Sequence, residues 1–183
     1  NWVNVGGGEL SADAFSHSES PSLALDSSGN PVVAWHEGDG ISENIYAERW
    51  DGTNWVYLGT TLDVNNNQNA HDPSLALDSS GNPVVSWYEF DGTSNNIYVK
   101  QWNGSSWVLM GSNPLDTSLG NSGYNPSLSL VNGSLAVAWQ EGSVSFGSLY
   151  VKKYITNAWQ DMGGLLDVNG GQSAVNSVIT KKS

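Results

Sequence analysis

Residues Pro21–Val33 read PSLALDSSGNPVV, and residues Pro73–Val85 repeat them letter for letter. A third copy, PSLSLVNGSLAV from Pro126, is one residue shorter in its turn. Aromatic residues keep step around these copies. Trp35, Trp87 and Trp139 recur every 52 residues, as do Tyr46, Tyr98 and Tyr150, and Trp55, Trp107 and Trp159. Trp2 precedes Trp55 by 53 and shares its phase. Self-similarity at such a period marks a repeat architecture.

Each unit parses into four short strands. In the first unit these are Ser22–Leu25, alternating small and large; Val32–Glu37, almost wholly apolar and so covered on both faces; Asn44–Trp50; and Trp55–Leu58. Asp26-Ser27-Ser28-Gly29-Asn30-Pro31 turns the first strand into the second. Asp51-Gly52, or Asn103-Gly104 in the second unit, suits a type I′ hairpin between the third and fourth. No segment shows a capped helical period. Four antiparallel strands in a unit of this length, with aromatics at fixed phase, describe a blade that buries its two apolar faces only against neighbouring blades. The expected fold is an all-β propeller of four-stranded antiparallel blades, with about three complete blades and partial ones at both ends. A sandwich would not repeat its strands with one period, and a β-solenoid would need shorter coils.

The expected division assigns residues 1–20 to the last strand of a preceding blade and a loop. Residues 21–72, 73–125 and 126–176 are three blades, and 177–183 begin another. Closed propellers use ~4–8 blades, so either the sequence is a piece of a longer propeller or other chains complete the ring.

The segment LALDSSGNPVV resembles the strand–turn–strand of bacterial extracellular propeller families. Trp50-Asp51-Gly52-Thr53-Asn54-Trp55 is similar to a shortened Asp-box of the sialidase type, in which Asp, Gly and a downstream Trp lock a hairpin. The third unit, Tyr154-Ile155-Thr156-Asn157-Ala158-Trp159, lacks both Asp and Gly. The resemblance implies a degenerate, non-catalytic propeller repeat outside the cell or on its surface.

Composition narrows the partners. Eighteen acidic against six basic residues give a net charge of −12, a field that repels phosphate backbones and anionic headgroups. Nucleic acid and membrane insertion are therefore not expected. The chain has no cysteine, which removes disulfides and thiolate chemistry.

Two of the four connections in each blade share one face, and there length is kept while sequence varies: HEGDGISEN, YEFDGTSNN and QEGSVSFGS between second and third strands, and the longer segments leading from one blade to the next. Such loops have two readings: recognition, which concentrates on them, or ordinary drift of exposed polar segments. Glu37, Glu89 and Glu141 each stand two residues after the repeated Trp. Two readings stay open: a structural carboxylate accepting N–H bonds from a neighbouring loop, or a ring of carboxylates for sugar hydroxyls or a cation. The residue between Trp and Glu varies as His36, Tyr88 and Gln140, giving each blade its own contact. Phe90, Tyr124 and Phe146 are aromatics outside the repeat phase and complete the candidate ligand-binding set. Asp63, Asn65 and Asn67 copy the alternating oxygens of a calcium loop, but Gln68 replaces the turn glycine and no Glu follows at the twelfth place; an Asx-rich turn is the alternative to Ca2+ there. No other cofactor is implied.

No catalytic constellation stands out. Carboxylates related by repetition are not a differentiated acid and base, a single arginine, Arg49, cannot supply a sialidase-like cluster, and His17, His36 and His71 have no metal-ligand spacing. The expected function is a non-enzymatic extracellular module recognising a glycan or a protein. The alternatives are a structural propeller completed by other chains, or a non-catalytic part of a larger polysaccharide-active enzyme.

Overall fold

The computed structural model describes residues 3–11, 16–116, 121–143 and 146–163. Trp2, the Asp167-Val168-Asn169 echo of the calcium-like loop and the expected strand start at Asn176–Thr180 lie outside them. The described residues hold twelve strands and no helix. They form three four-stranded antiparallel meanders: β1 (Ser18–Leu25), β2 (Pro31–Gly38), β3 (Glu43–Trp50) and β4 (Trp55–Tyr57); β5 (Ala70–Leu77), β6 (Pro83–Phe90), β7 (Asn95–Trp102) and β8 (Trp107–Leu109); and β9 (Ser122–Val131), β10 (Ser134–Ser143), β11 (Phe146–Ile155) and β12 (Ala158–Asp161). We refer to these sheets as the first, second and third blades.

The turns explain the strict sequence copy. Asp26 Oδ1 accepts the amides of Ser28 (2.8 Å) and Asn30 (2.9 Å), while Gly29 takes the positive φ of +82°. Asp78 does the same for Ser80 and Asn82 in the second blade. Such side-chain acceptors replace backbone ones at a tight reversal. The hairpin after β3 differs from the type I′ expectation. Its positive φ falls on Gly52 alone, and Asp51 Oδ1 accepts the amides of Thr53 and Asn54. The type I′ signature instead occurs in the third blade, where Asn132-Gly133 and Thr156-Asn157 are both at positive φ in two-residue turns.

β1 and β5 begin earlier than the alternation of their residues suggests, at Ser18 and Ala70. Ser20, Asp72 and Asn125, each followed by proline, sit at φ 50°, and the pairing register shifts around them. Each is a β-bulge, which lets the ladder resume beyond the proline and re-aims the preceding side chains.

Blades pack face to face in order. Val32, Ala34, Ile45, Ala47, Leu58 and Leu62 of the first blade and its exit segment bury Leu75, Val85 and Trp87 of the second. Val84, Ile97, Val99, Met110 and Leu115 do the same for Leu128, Val137 and Trp139 of the third. β1 runs beside β5, and β5 beside β9, which makes these the strands nearest the common axis. The seam bonds repeat as well: Ser22 Oγ accepts the Leu75 amide and Ser74 Oγ the Leu128 amide, both at 2.9 Å. Trp55, Trp107 and Trp159 donate from Nε1 to the carbonyls of Val5, Leu58 and Met110. Val5–Gly6 thus meets the first blade as Leu58–Gly59 meets the second. At Gly6 (φ +81°) a β-carbon would fall 2.6 Å from the Trp55 ring, so only glycine fits.

Candidate functional site

The bulge before each proline fixes what lies upstream of it. His71 pairs with Tyr88 across the β5–β6 ladder, Tyr124 with Gln140 across β9–β10, and Glu19 with His36 across β1–β2. Because neighbouring blades stand side by side, these pairs join into one ribbon of rings. His36 and His71 meet edge to face with ring centres 5.0 Å apart. His71 and Tyr88 are 5.2 Å apart, and Tyr88 and Tyr124 are 5.4 Å apart in a T-shaped contact. The ribbon therefore crosses two blade seams. His36 is buried, whereas His71, Tyr88 and Tyr124 are half-buried.

Carboxylates flank the ribbon. Glu43, at the start of β3, places Oε2 2.8 Å from His71 Nδ1. Asp72 is the bulge residue itself, and its Oδ1 accepts the Ser20 hydroxyl at 3.0 Å. Burial pushes the Tyr88 hydroxyl up to about 12, with the charges of Asp72 and Glu43 adding to the rise. Burial also lowers the His71 pKa, against the upward pull of Glu43. The ring is thus held toward its neutral form, able to accept a proton or a metal bond at one nitrogen.

Of the candidate residues named from the sequence, the fold brings together His36, Tyr88 and Tyr124. Gln140, buried at the end of this line, lies over the bare Cα of Gly147, where a β-carbon would strike it. Phe90 stands at the exposed end of β6, and Phe146 opens β11. Glu37, Glu89 and Glu141 are buried one per blade, at 1%, 1% and 3% exposure. Glu89 accepts Trp87 Nε1 (2.9 Å) and the amides of Val64 (2.9 Å) and Asn65 (2.6 Å). Glu37 accepts Trp35 Nε1 and the hydroxyls of Ser11 and Ser18, and Glu141 accepts Trp139 Nε1.

In the calcium-like loop, Asp63 Oδ1 takes the Ile45 amide at 2.9 Å, and Asn65 Oδ1 takes the Asn67 amide at 3.2 Å. Burial raises the Asp63 carboxyl to about 7, and Asp116, which takes the Ile97 amide in the next blade, equally to about 7.

Glu43 and Asp72 were not reached from the sequence, and His71 was set aside there for want of metal-ligand spacing. One signal was present: positions 19, 71 and 124, two before the repeated proline, vary as Glu, His and Tyr, as do His36, Tyr88 and Gln140 between the constant Trp and Glu. A cavity of about 380 Å³ lies elsewhere, over Val33 and Trp35. Their counterparts Val85 and Trp87 are packed against the first blade, so this cavity occupies the face on which the second blade receives its predecessor.

No family model matches the chain, and no curated protein matches it. Solved structures do. An endo-arabinase from Bacteroides thetaiotaomicron aligns at a TM-score of 0.55 with 14% identity, over 87% of this chain and 66% of its own. Zg3597, a family 117 glycoside hydrolase produced by the marine bacterium Zobellia galactanivorans, gives 0.58 at 12% identity, over 85% and 58%. A glycosyl hydrolase from Bacteroides ovatus gives 0.51 at 16% identity, over 85% and 51%. The chain spans about half the length of the first of the solved structures it resembles. The shared fold is the β-propeller. The likeness is to glycoside hydrolase propellers rather than to an Asp-box sialidase, so the resemblance drawn from Trp50–Trp55 holds at the level of the propeller.

These structures overturn the expectation of a non-enzymatic protein, since each is a glycoside hydrolase or endo-arabinase. That expectation was drawn from spacing within the repeat alone. It sought a differentiated acid and base, or a metal pair, at fixed spacing within the repeat. The fold instead gathers unlike titratable groups from successive blades at a seam, where His36 and His71, 35 residues apart in the chain, become neighbours.

Proposed function

We propose that the chain belongs to a carbohydrate-processing propeller enzyme acting outside the cell or on its surface, with a glycan lying along the His71–Tyr88–Tyr124 ribbon. The observation that carries the reading is the unbroken line of rings crossing two blade seams with carboxylates at its edge. Aromatic faces and edges cover the apolar faces of a sugar ring, while flanking carboxylates and imidazoles take its hydroxyls. Glycoside hydrolysis uses a pair of carboxylates, one as acid and one as base or nucleophile. Asp72, oriented by Ser20, and Glu19, which stands immediately before the matching bulge in β1, are the candidate pair on this chain. Arabinose-containing polysaccharides are the first substrates to test, because an endo-arabinase and an α-L-arabinofuranosidase share the fold.

The test is reducing-sugar release and gel-retardation affinity over a polysaccharide panel, with Asp72→Asn as the control. Release by the native chain and its loss in the variant support the reading. Neither release nor retardation on any polysaccharide rules it out.

A second reading has its own observation. Leu23 and Leu25 of β1 are 61% and 59% exposed, whereas the matching Leu75 is 6% exposed under the first blade. This apolar face fits a further blade of the same kind, from the same polypeptide or another. Analytical ultracentrifugation of native and Leu23→Asp protein tests it; self-association that the aspartate abolishes supports pairing between chains.

A further inference from the structure

We propose that His36, Glu43 and His71 bind a divalent metal ion of the zinc type across the seam between the first and second blades. The inference does not depend on the glycan reading, because it rests on a donor set that the fold assembles whatever the substrate.

One ligand atom from each of the three residues lies within 4.8 Å of the other two. Three donors around tetrahedral zinc stand roughly 3.4 Å apart, given metal–ligand bonds of ~2.0–2.1 Å. The Glu43–His71 separation of 2.8 Å is already inside that spacing. The remaining separations are within 4.8 Å, a distance that side-chain rotation can adjust. Two strands of one blade and the inner strand of the next supply the three side chains, His36 from β2, Glu43 from β3 and His71 from β5. The ladders and the packed seam hold them in place before any ion arrives.

An independent observation points to a missing partner. His36 is 5% exposed, and its Nδ1 is buried without a hydrogen-bond partner. A buried imidazole nitrogen left unpaired costs free energy, and a bound ion in the cluster is one way of fixing which nitrogen carries the proton. A metal also explains why two imidazoles meet edge to face at 5.0 Å instead of separating into solvent.

The donor chemistry selects the ion. Two imidazoles and one carboxylate suit zinc, copper(II), nickel or cobalt, whereas calcium takes six to eight oxygens. The site is therefore distinct in kind from the oxygen-rich Asp63–Asn67 loop. Two neutral rings and one carboxylate leave a divalent ion with a single net positive charge. Asp72 and Glu19, whose charges both reach His71, offset it, as does the net charge of −12 on the chain. With one ligand side left to water, the ion would add a staple between two blades already joined by apolar packing and hydrogen bonds.

The experiment uses tag-free, chelator-stripped full chain and the metal alone. Isothermal titration with zinc is expected to give one site per chain, and cobalt(II) is expected to develop the intense visible bands of a four-coordinate ion. Glu43→Gln and His71→Gln, both at partly exposed positions, should each weaken zinc at least tenfold, whereas His17→Gln should leave it unchanged. His36→Gln should behave as His71→Gln, with circular dichroism confirming that the blades still form. Calcium should not compete. The proposal is overturned if no stoichiometric zinc binding occurs, if cobalt gives only weak octahedral bands, or if binding is indifferent to Glu43→Gln and His71→Gln.

Discussion

Trp87 Nε1 donates to Glu89 Oε2 at 2.9 Å, and the same carboxylate closes the segment arriving from the first blade through the amides of Val64 and Asn65. One buried side chain thus ties the core of its own blade to the exit of the previous one. Glu89→Gln turns one acceptor oxygen into a donor facing other donors. We expect a loss of about 2–4 kcal/mol in urea unfolding. Glu37→Gln should cost less, because two of its donors are the hydroxyls of Ser11 and Ser18, which can rotate to accept. Equal losses at the two sites would refute this account of the loop bonds.

Burial of the same leucine differs between blades, and stability should follow it. Leu75→Ala empties a packed seam and should cost about 2–5 kcal/mol. Leu23→Ala, at the matching but exposed position, should cost under about 1 kcal/mol. A large loss at Leu23, measured on dilute monomer, would mean that something covers that face.

Asp116 sets a pH dependence whose sign can be worked out. Burial raises its folded pKa to about 7, well above the ordinary aspartate value. The folded protein then holds the proton more tightly than the unfolded chain. The stabilisation is complete below the unfolded value and is lost as pH rises through about 7, by at most ~1.4 kcal/mol per pH unit. Asp116→Asn keeps an oxygen for the Ile97 amide and removes the titration. Its melting temperature should change less than the native one between pH 4 and 8. Parallel profiles for the two proteins would show that Asp116 ionises normally.

The blades were legible because their chemistry is local and repeated. Asp26, Gly29 and Asn30 make a turn through their own side chains and dihedral angles, and Trp35, Trp87 and Trp139 each stack on the tyrosine opposite them in the next strand. The bulge at Ser20, Asp72 and Asn125 was harder to see, since a residue at φ 50° before proline leaves no alternation to count. The site was only half legible. His36, Tyr88 and Tyr124 stood out as variable positions, but their meeting with His71 and Glu43 depends on which side chains face across a seam. A pattern read along one strand carries no record of its neighbour in the next blade.

Tyr88 offers a test that separates ring from hydroxyl. Its ring lies between His71 at 5.2 Å and Tyr124 at 5.4 Å, so it is the middle platform of the proposed glycan track. Aromatic contact with a ligand depends on the ring and survives loss of the hydroxyl, whose pKa near 12 keeps it protonated and a minor donor at neutral pH. Tyr88→Phe should therefore hold glycan affinity within about threefold, whereas Tyr88→Ala should lower it about tenfold or more, the ~1.4 kcal/mol expected of one lost platform. The measurement is affinity electrophoresis on whichever polysaccharide the native chain retains, with thermal melting to check that the alanine variant still folds. If Tyr88→Ala folds and binds as tightly as the native chain, the ribbon is an inter-blade contact and the glycan track lies elsewhere.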